Sequence, residues 1–127
     1  MPIETTRDQE RNLTVHVVTG PVSEQEMYGT LEEFYKREPT ALLLWDLSKA
    51  DLSWVTPNML QRFVRKAVKL GARRRGGRTA VVAPEDLQYG LGRMTEAFVE
   101  SESAPFSFHV FRSRQDALSW LMADDAS

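Results

Sequence analysis

From Leu13 to Leu121 the chain alternates short apolar runs of strand character with longer stretches in which apolar residues recur at helical spacing. Leu13-Thr14-Val15-His16-Val17 has the period of two expected of a half-buried strand, whereas Ala41-Leu42-Leu43-Leu44-Trp45 and Thr79-Ala80-Val81-Val82-Ala83 are continuously apolar, as strands covered on both faces are. Phe108 to Phe111 makes a fourth strand, and Ile3 to Arg7 an edge strand that hairpins onto the first run across the turn-like Asp8 to Asn12. Between them lie helical faces: Met27, Leu31, Phe34 and Tyr35; Leu60, Phe63, Val64, Ala67 and Leu70; Leu87, Leu91, Met94 and Phe98; and Ala117, Leu118 and Leu121. Strands separated by helices pair in parallel through right-handed crossovers. The expected architecture is therefore α/β: a mixed, mostly parallel sheet of four to five strands flanked by four helices. Leu42, Leu44, Phe63, Val81, Leu91 and Leu121 are its expected core.

Local signals fix the element ends. Ser23 and Glu26 fit a capping box, Thr56-Pro57 pairs a capping hydroxyl with proline at the first helical position, and Ser113 with Asp116 caps the last helix. Gly20-Pro21 ends the first long strand and Gly71 the second helix. Asp46 to Val55 and Arg73 to Arg78 are expected as loops. Gly90 and Gly92 each weaken the third helix by about 1 kcal/mol relative to Ala, which implies a late start or close backbone packing. Asp124 to Ser127 are expected to fray.

A length of 127 residues suits one domain, 1–127, with no repeat or linker. The absence of cysteine removes disulfides, thiolate metal sites and cysteine nucleophiles. Met1 to Asn12 is polar and the longest apolar run is Ala41 to Trp45, so the expected location is cytoplasmic.

The residues give little support for catalysis, cofactor binding or a metal site. His16 and His109 both fall in strands with no nucleophile or orienting group at a telling spacing, and two histidines are a poor start for a transition-metal site. Asp46 lies at the end of a parallel strand, where α/β sheets place ligands, but a loop-stabilising hydrogen bond suits it as well. Gly90-x-Gly92 lacks the third glycine and the lysine of a phosphate loop.

Charge is more telling. No acid occurs between Asp51 and Glu85, a stretch that holds Arg62, Arg65, Lys66, Lys69, Arg73, Arg74, Arg75 and Arg78. It carries +8, so the remainder of a chain of net charge −2 carries −10. Part of this is a solvated helix face with cations favoured at the helix C-terminus. The eight residues, with Trp54 as an aromatic anchor, are also the expected partner-binding surface. An acidic protein is the expected partner; nucleic acid, an anionic membrane, a small apolar ligand and a homodimer are the alternatives.

Certain words along the chain carry a family likeness: Thr19-Gly20-Pro21-Val22 before the first helix, Trp45-Asp46-Leu47-Ser48 closing the central strand, Tyr89-Gly90-Leu91-Gly92-Arg93-Met94 in the third helix, and Val110-Phe111-Arg112 with Ala117-Leu118-Ser119-Trp120-Leu121 at the end. In order and spacing they resemble the STAS-like superfamily, which includes the sporulation anti-sigma-factor antagonists, and within it the bacterial STAS/SEC14-like branch. The resemblance implies a STAS-like fold and a non-catalytic regulatory module that docks on proteins, switched by phosphorylation or by a bound ligand. A small-ligand or lipid-binding module is the alternative. Phosphorylated antagonists carry an Asp-Ser pair where the second helix begins; here the chain reads Trp54-Val55-Thr56-Pro57. Thr56 is the nearest hydroxyl to that position and Ser53 the next, and these two are the candidate phosphosites.

Overall fold

The computed structural model describes residues 2–123, so the expectation for Asp124 to Ser127 lies outside the described residues. Five strands, β1 (Ile3–Asp8), β2 (Leu13–Pro21), β3 (Leu42–Asp51), β4 (Arg78–Val82) and β5 (Ser107–Phe111), alternate after the first hairpin with α1 (Glu24–Lys36), α2 (Pro57–Leu70), α3 (Asp86–Ser101) and α4 (Arg114–Met122). The strand order is β1-β2-β3-β4-β5, with β1 antiparallel to β2 and all other pairs parallel. Successive right-handed crossovers in one direction keep α1, α2 and α3 on one face. There Leu31, Phe34 and Tyr35 of α1 pack with Leu43 and Trp45 of β3, Val81 of β4 and Val110 of β5. The opposite face belongs to α4, whose Ala117 and Leu121 meet Leu13, Leu44, Ala80 and Val82.

The expected caps form. Ser23 and Glu26 bond reciprocally, Thr56 Oγ1 accepts from the Met59 N–H at 3.3 Å, and Ser113 Oγ from the Asp116 N–H at 3.1 Å. Both glycines of α3 lie inside the helix, and Gly92 serves close packing: a Cβ there would stand 2.4 Å from Val110 Cγ2.

Several expectations need correction. Asp46 to Asp51 is strand rather than loop, because β2 continues past an irregularity between Val17 and Thr19 and its Thr19, Gly20 and Pro21 pair with Lys49, Ala50 and Asp51. The loop after α2 is in part a 3-10 turn, Gly71–Arg74. Of the expected core, Leu44, Val81 and Leu121 are buried, whereas Leu42, Phe63 and Leu91 are half-buried. Phe63 and Leu91 fall short for one reason: both border a cleft.

Candidate functional site

The cleft opens between the sheet and the three helices of its face. Trp45, Leu47 and Val81 form its floor, Met59, Leu60 and Phe63 of α2 one wall, and Leu91 and Gly92 of α3 the other; Met27 and Tyr28 of α1 and Trp54 of the β3–α2 loop border the mouth. Its open volume is about 100 Å3. The amide of Gln88, the indole of Trp54 and the hydroxyl of Thr95, which donates to the Leu91 carbonyl at 2.8 Å, are already engaged. Gln88 Nε2 donates to the Ala50 carbonyl at 3.0 Å, Gln88 Oε1 accepts from the Glu85 N–H at 3.3 Å, and Trp54 Nε1 donates to the Asp51 carbonyl at 3.1 Å. What remains is apolar surface: the site can exclude water and hold an apolar group but presents no nucleophile. At the mouth Arg62 of α2 donates to Glu24 of α1 at 3.1 Å, tying the two helices together.

Periodicity alone did not reveal the cleft. Met59, Leu60 and Phe63 read as an ordinary core face, yet Val64 is the one residue of α2 that is fully buried. A helical period tells which side of α2 is apolar, not whether its neighbours fill the space beneath.

Ser53 and Thr56 lie at the rim, both exposed. The Ser53 hydroxyl and N–H both donate to Asp51 Oδ1, at 2.7 and 3.0 Å, and these bonds hold the Asp51 carboxyl below its ordinary pKa. Thr56 caps α2. Each hydroxyl thus has a local structural role in the unmodified chain.

The basic stretch is not one unpaired surface. Arg62 meets Glu24, Arg65 meets Glu102 at 3.5 Å and Lys66 meets Glu32 at 3.0 Å, so acids distant in sequence arrive from α1 and the end of α3. Arg78 turns inward to the end of α4, donating to the carbonyls of Trp120, Leu121 and Ala123. Arg74 departs furthest from expectation. It is 3% exposed, and its guanidinium donates to the carbonyls of Thr40, Ala41 and Arg78 and to the hydroxyls of Thr79 and Tyr35, between the rings of Phe34 and Phe106. It is a core residue and cannot belong to a docking surface. Lys69, Arg73 and Arg75 are exposed and have no carboxylate partner among the described residues; Arg73 donates to the Tyr35 carbonyl at 3.1 Å. Trp54 is half-buried against the cleft rather than standing free.

The two histidines do not meet. His16 is buried on the three-helix face against Phe34 and Trp45, and burial lowers its pKa from 6.5 to about 4, so its ring is neutral near pH 7. His109 is exposed on β5, edge-to-face with Trp120 and with Glu96 at 3.5 Å. Asp46 accepts from Ser48 and, at 2.8 Å, from Arg114 at the start of α4, which joins the central strand to the last helix. Among the described residues no group of three or more His, Asp or Glu could hold a metal ion, and no helix is long and apolar enough to cross a membrane.

No protein-family model matches the chain, and no curated protein matches it significantly. Among solved structures it is similar to an uncharacterized protein of the DUF3478 family from Shewanella loihica PV-4, described as having a SpoIIAA-like fold. The two superpose with a TM-score of 0.57 at 22% identity, over 94% of this chain and 91% of that one. The five-stranded, mostly parallel sheet with three helices on one face and one on the other is thus the SpoIIAA-like α/β fold, the fold that the STAS-like resemblance implies.

Proposed function

We propose that the chain is a non-catalytic regulatory binding module whose cleft takes a small apolar group. The carrying observation is the cleft itself: apolar walls from three helices and the sheet, with its lining amide and indole already hydrogen-bonded. Its open volume of 100 Å3 compares with roughly 150 Å3 for an engineered apolar cavity that binds benzene. It therefore suits a single small ring or a short branched alkyl group. A long acyl chain would require α1 and α2 to separate, breaking the Arg62–Glu24 pair. Filling the cleft joins α1, α2 and α3 through one ligand, and that is how occupancy would be read by a docking partner. The test is thermal stability in the presence of toluene. At ten times its dissociation constant a ligand adds about 1.4 kcal/mol, which raises the melting temperature by several degrees. Leu60→Trp, which fills the space, should abolish the rise; an unchanged melting temperature for the parent protein would overturn the reading.

A second reading rests on Lys69, Arg73 and Arg75, exposed cations without carboxylate partners among the described residues. They suit an acidic protein surface. Changing these three to Ala should weaken capture of such a partner and flatten its salt dependence, with stability lowered only by the lost Arg73–Tyr35 bond, about 1 kcal/mol; unchanged affinity and salt dependence would remove the reading.

A further inference from the structure

A smaller space of about 40 Å3 lies inward of the cleft, and none of the residues around it is exposed. Leu31, Val64, Ala67 and Val99 border this inner space but not the cleft, whereas Trp45, Phe63, Thr95 and Phe108 border both and so form the partition between them. Three of these four are held in place. Trp45 is buried on the floor against His16, Phe108 belongs to β5, and the Thr95 hydroxyl donates to the Leu91 carbonyl at 2.8 Å. Phe63 differs: it is half-buried on α2, with open space on its cleft side and on its inner side. Interiors are close-packed and leave few voids larger than a water, so a ring between two voids lacks packing partners on both flanks and can swing toward either.

The inner space suits carbon better than water. Its polar groups already bond one another: the Arg74 guanidinium donates to the Thr79 and Tyr35 hydroxyls at 3.0 and 3.3 Å. A buried water needs about two to four polar partners of its own. A methylene is roughly the size of a water, whose share of the liquid is about 30 Å3, so the space admits about one or two carbons. Cleft and inner space together reach about 140 Å3, close to the roughly 150 Å3 of an engineered cavity that binds benzene.

Granted the cleft as a binding site, on which this rests, we propose that Phe63 is a swinging partition and that the occupant is a small ring bearing a short unbranched alkyl tail. The ring lies in the cleft, the first tail carbon is level with Phe63, and the tail ends in the inner space against Val64 and Val99. Phe63 thereby sets the length of tail that the site accepts.

The experiment measures the affinity of the full chain for toluene, ethylbenzene, n-propylbenzene and n-butylbenzene. Each buried methylene is worth about fourfold in affinity, so binding should tighten by about that factor per carbon as far as n-propylbenzene and gain nothing further at n-butylbenzene. Ala67→Val adds bulk to the inner space alone, and the rise from toluene to n-propylbenzene should vanish. Phe63→Leu keeps an apolar side chain at a half-buried position and should extend the rise to n-butylbenzene. In the parent protein the terminal methyl of bound n-propylbenzene should give nuclear Overhauser contacts to the methyls of Val64 and Val99. The proposal is overturned if toluene binds but affinity does not rise with tail length, if Ala67→Val keeps the rise, if Phe63→Leu stops at n-propylbenzene like the parent, or if the terminal methyl meets only Met27 and Met59 of the cleft. Failure of toluene itself to bind the parent protein would instead remove the cleft as a binding site, and the partition with it.

Discussion

Replacing Arg74 with Met removes a guanidinium whose hydrogen bonds reach five different residues, while a side chain of similar length still fills the space between Phe34 and Phe106. Hydrogen bonds to a charged group are each worth about 1.5–3 kcal/mol, a gross gain of roughly 10 kcal/mol for five. Desolvating the cation offsets several kcal/mol of this, because no carboxylate accompanies it. Truncation does not recover that cost cleanly, since the carbonyls and hydroxyls remain buried with fewer donors; the Ala41 carbonyl keeps a second bond, from the Arg78 N–H at 2.9 Å. The expected loss is therefore about 3–5 kcal/mol, the range for breaking a buried charged network from one side. At roughly 3–5 °C per kcal/mol for a chain of this size, the melting temperature should fall by about 10–20 °C. Arg74→Lys keeps the charge but not the planar fork, so it should lose about half as much. Urea unfolding of both variants gives the measurement. A Met variant within about 1 kcal/mol of the parent would refute the assignment of Arg74 as the hydrogen-bonding centre of the core.

Thr56→Ala removes the cap of α2 and should cost about 1 kcal/mol, a fall of roughly 3–5 °C in melting temperature; an unchanged curve would exclude the cap. His16 makes the fold acid-sensitive: its pKa is about 4 folded against 6.5 unfolded, so the unfolded chain binds more protons as pH falls through this interval. Stability is unaffected by this residue above about pH 7, drops by about 3 kcal/mol between pH 6.5 and 4 and levels off below. His16→Phe should flatten that slope, and an equal slope in both proteins would show that other groups cause it. Gly92→Ala forces a methyl against Val110 and should destabilise by about 1–3 kcal/mol; a neutral effect would mean that α3 can lift from β5 without cost.

Element order, the edge hairpin and three helix caps were legible because each rests on short-range chemistry: period, a capping hydroxyl, a proline at the first turn. The extension of β3 through Asp51 was not, because Lys49 and Ala50 carry no strand signal of their own and are ordered by pairing with Thr19 and Gly20. The basic stretch shows the same limit more sharply. Its charges are consecutive in sequence, but their partners Glu24, Glu32 and Glu102 lie on other helices, and only the turn at Gly71–Arg74 carries Arg74 into the core. The cleft was legible only as an apolar face of α2. Whether such a face is filled depends on the separation of three helices, set by contacts such as Gly92 against Val110.

The most direct test of the proposed function is methyl NMR of the methionines during titration with toluene. Met27 and Met59 line the cleft, whereas Met94 and Met122 do not. The account predicts saturable shifts at Met27 and Met59, none at Met94 or Met122, and loss of both shifts in Leu60→Trp. Uniform, non-saturating drifts of all four methyls would show that the cleft does not bind and would contradict the central claim.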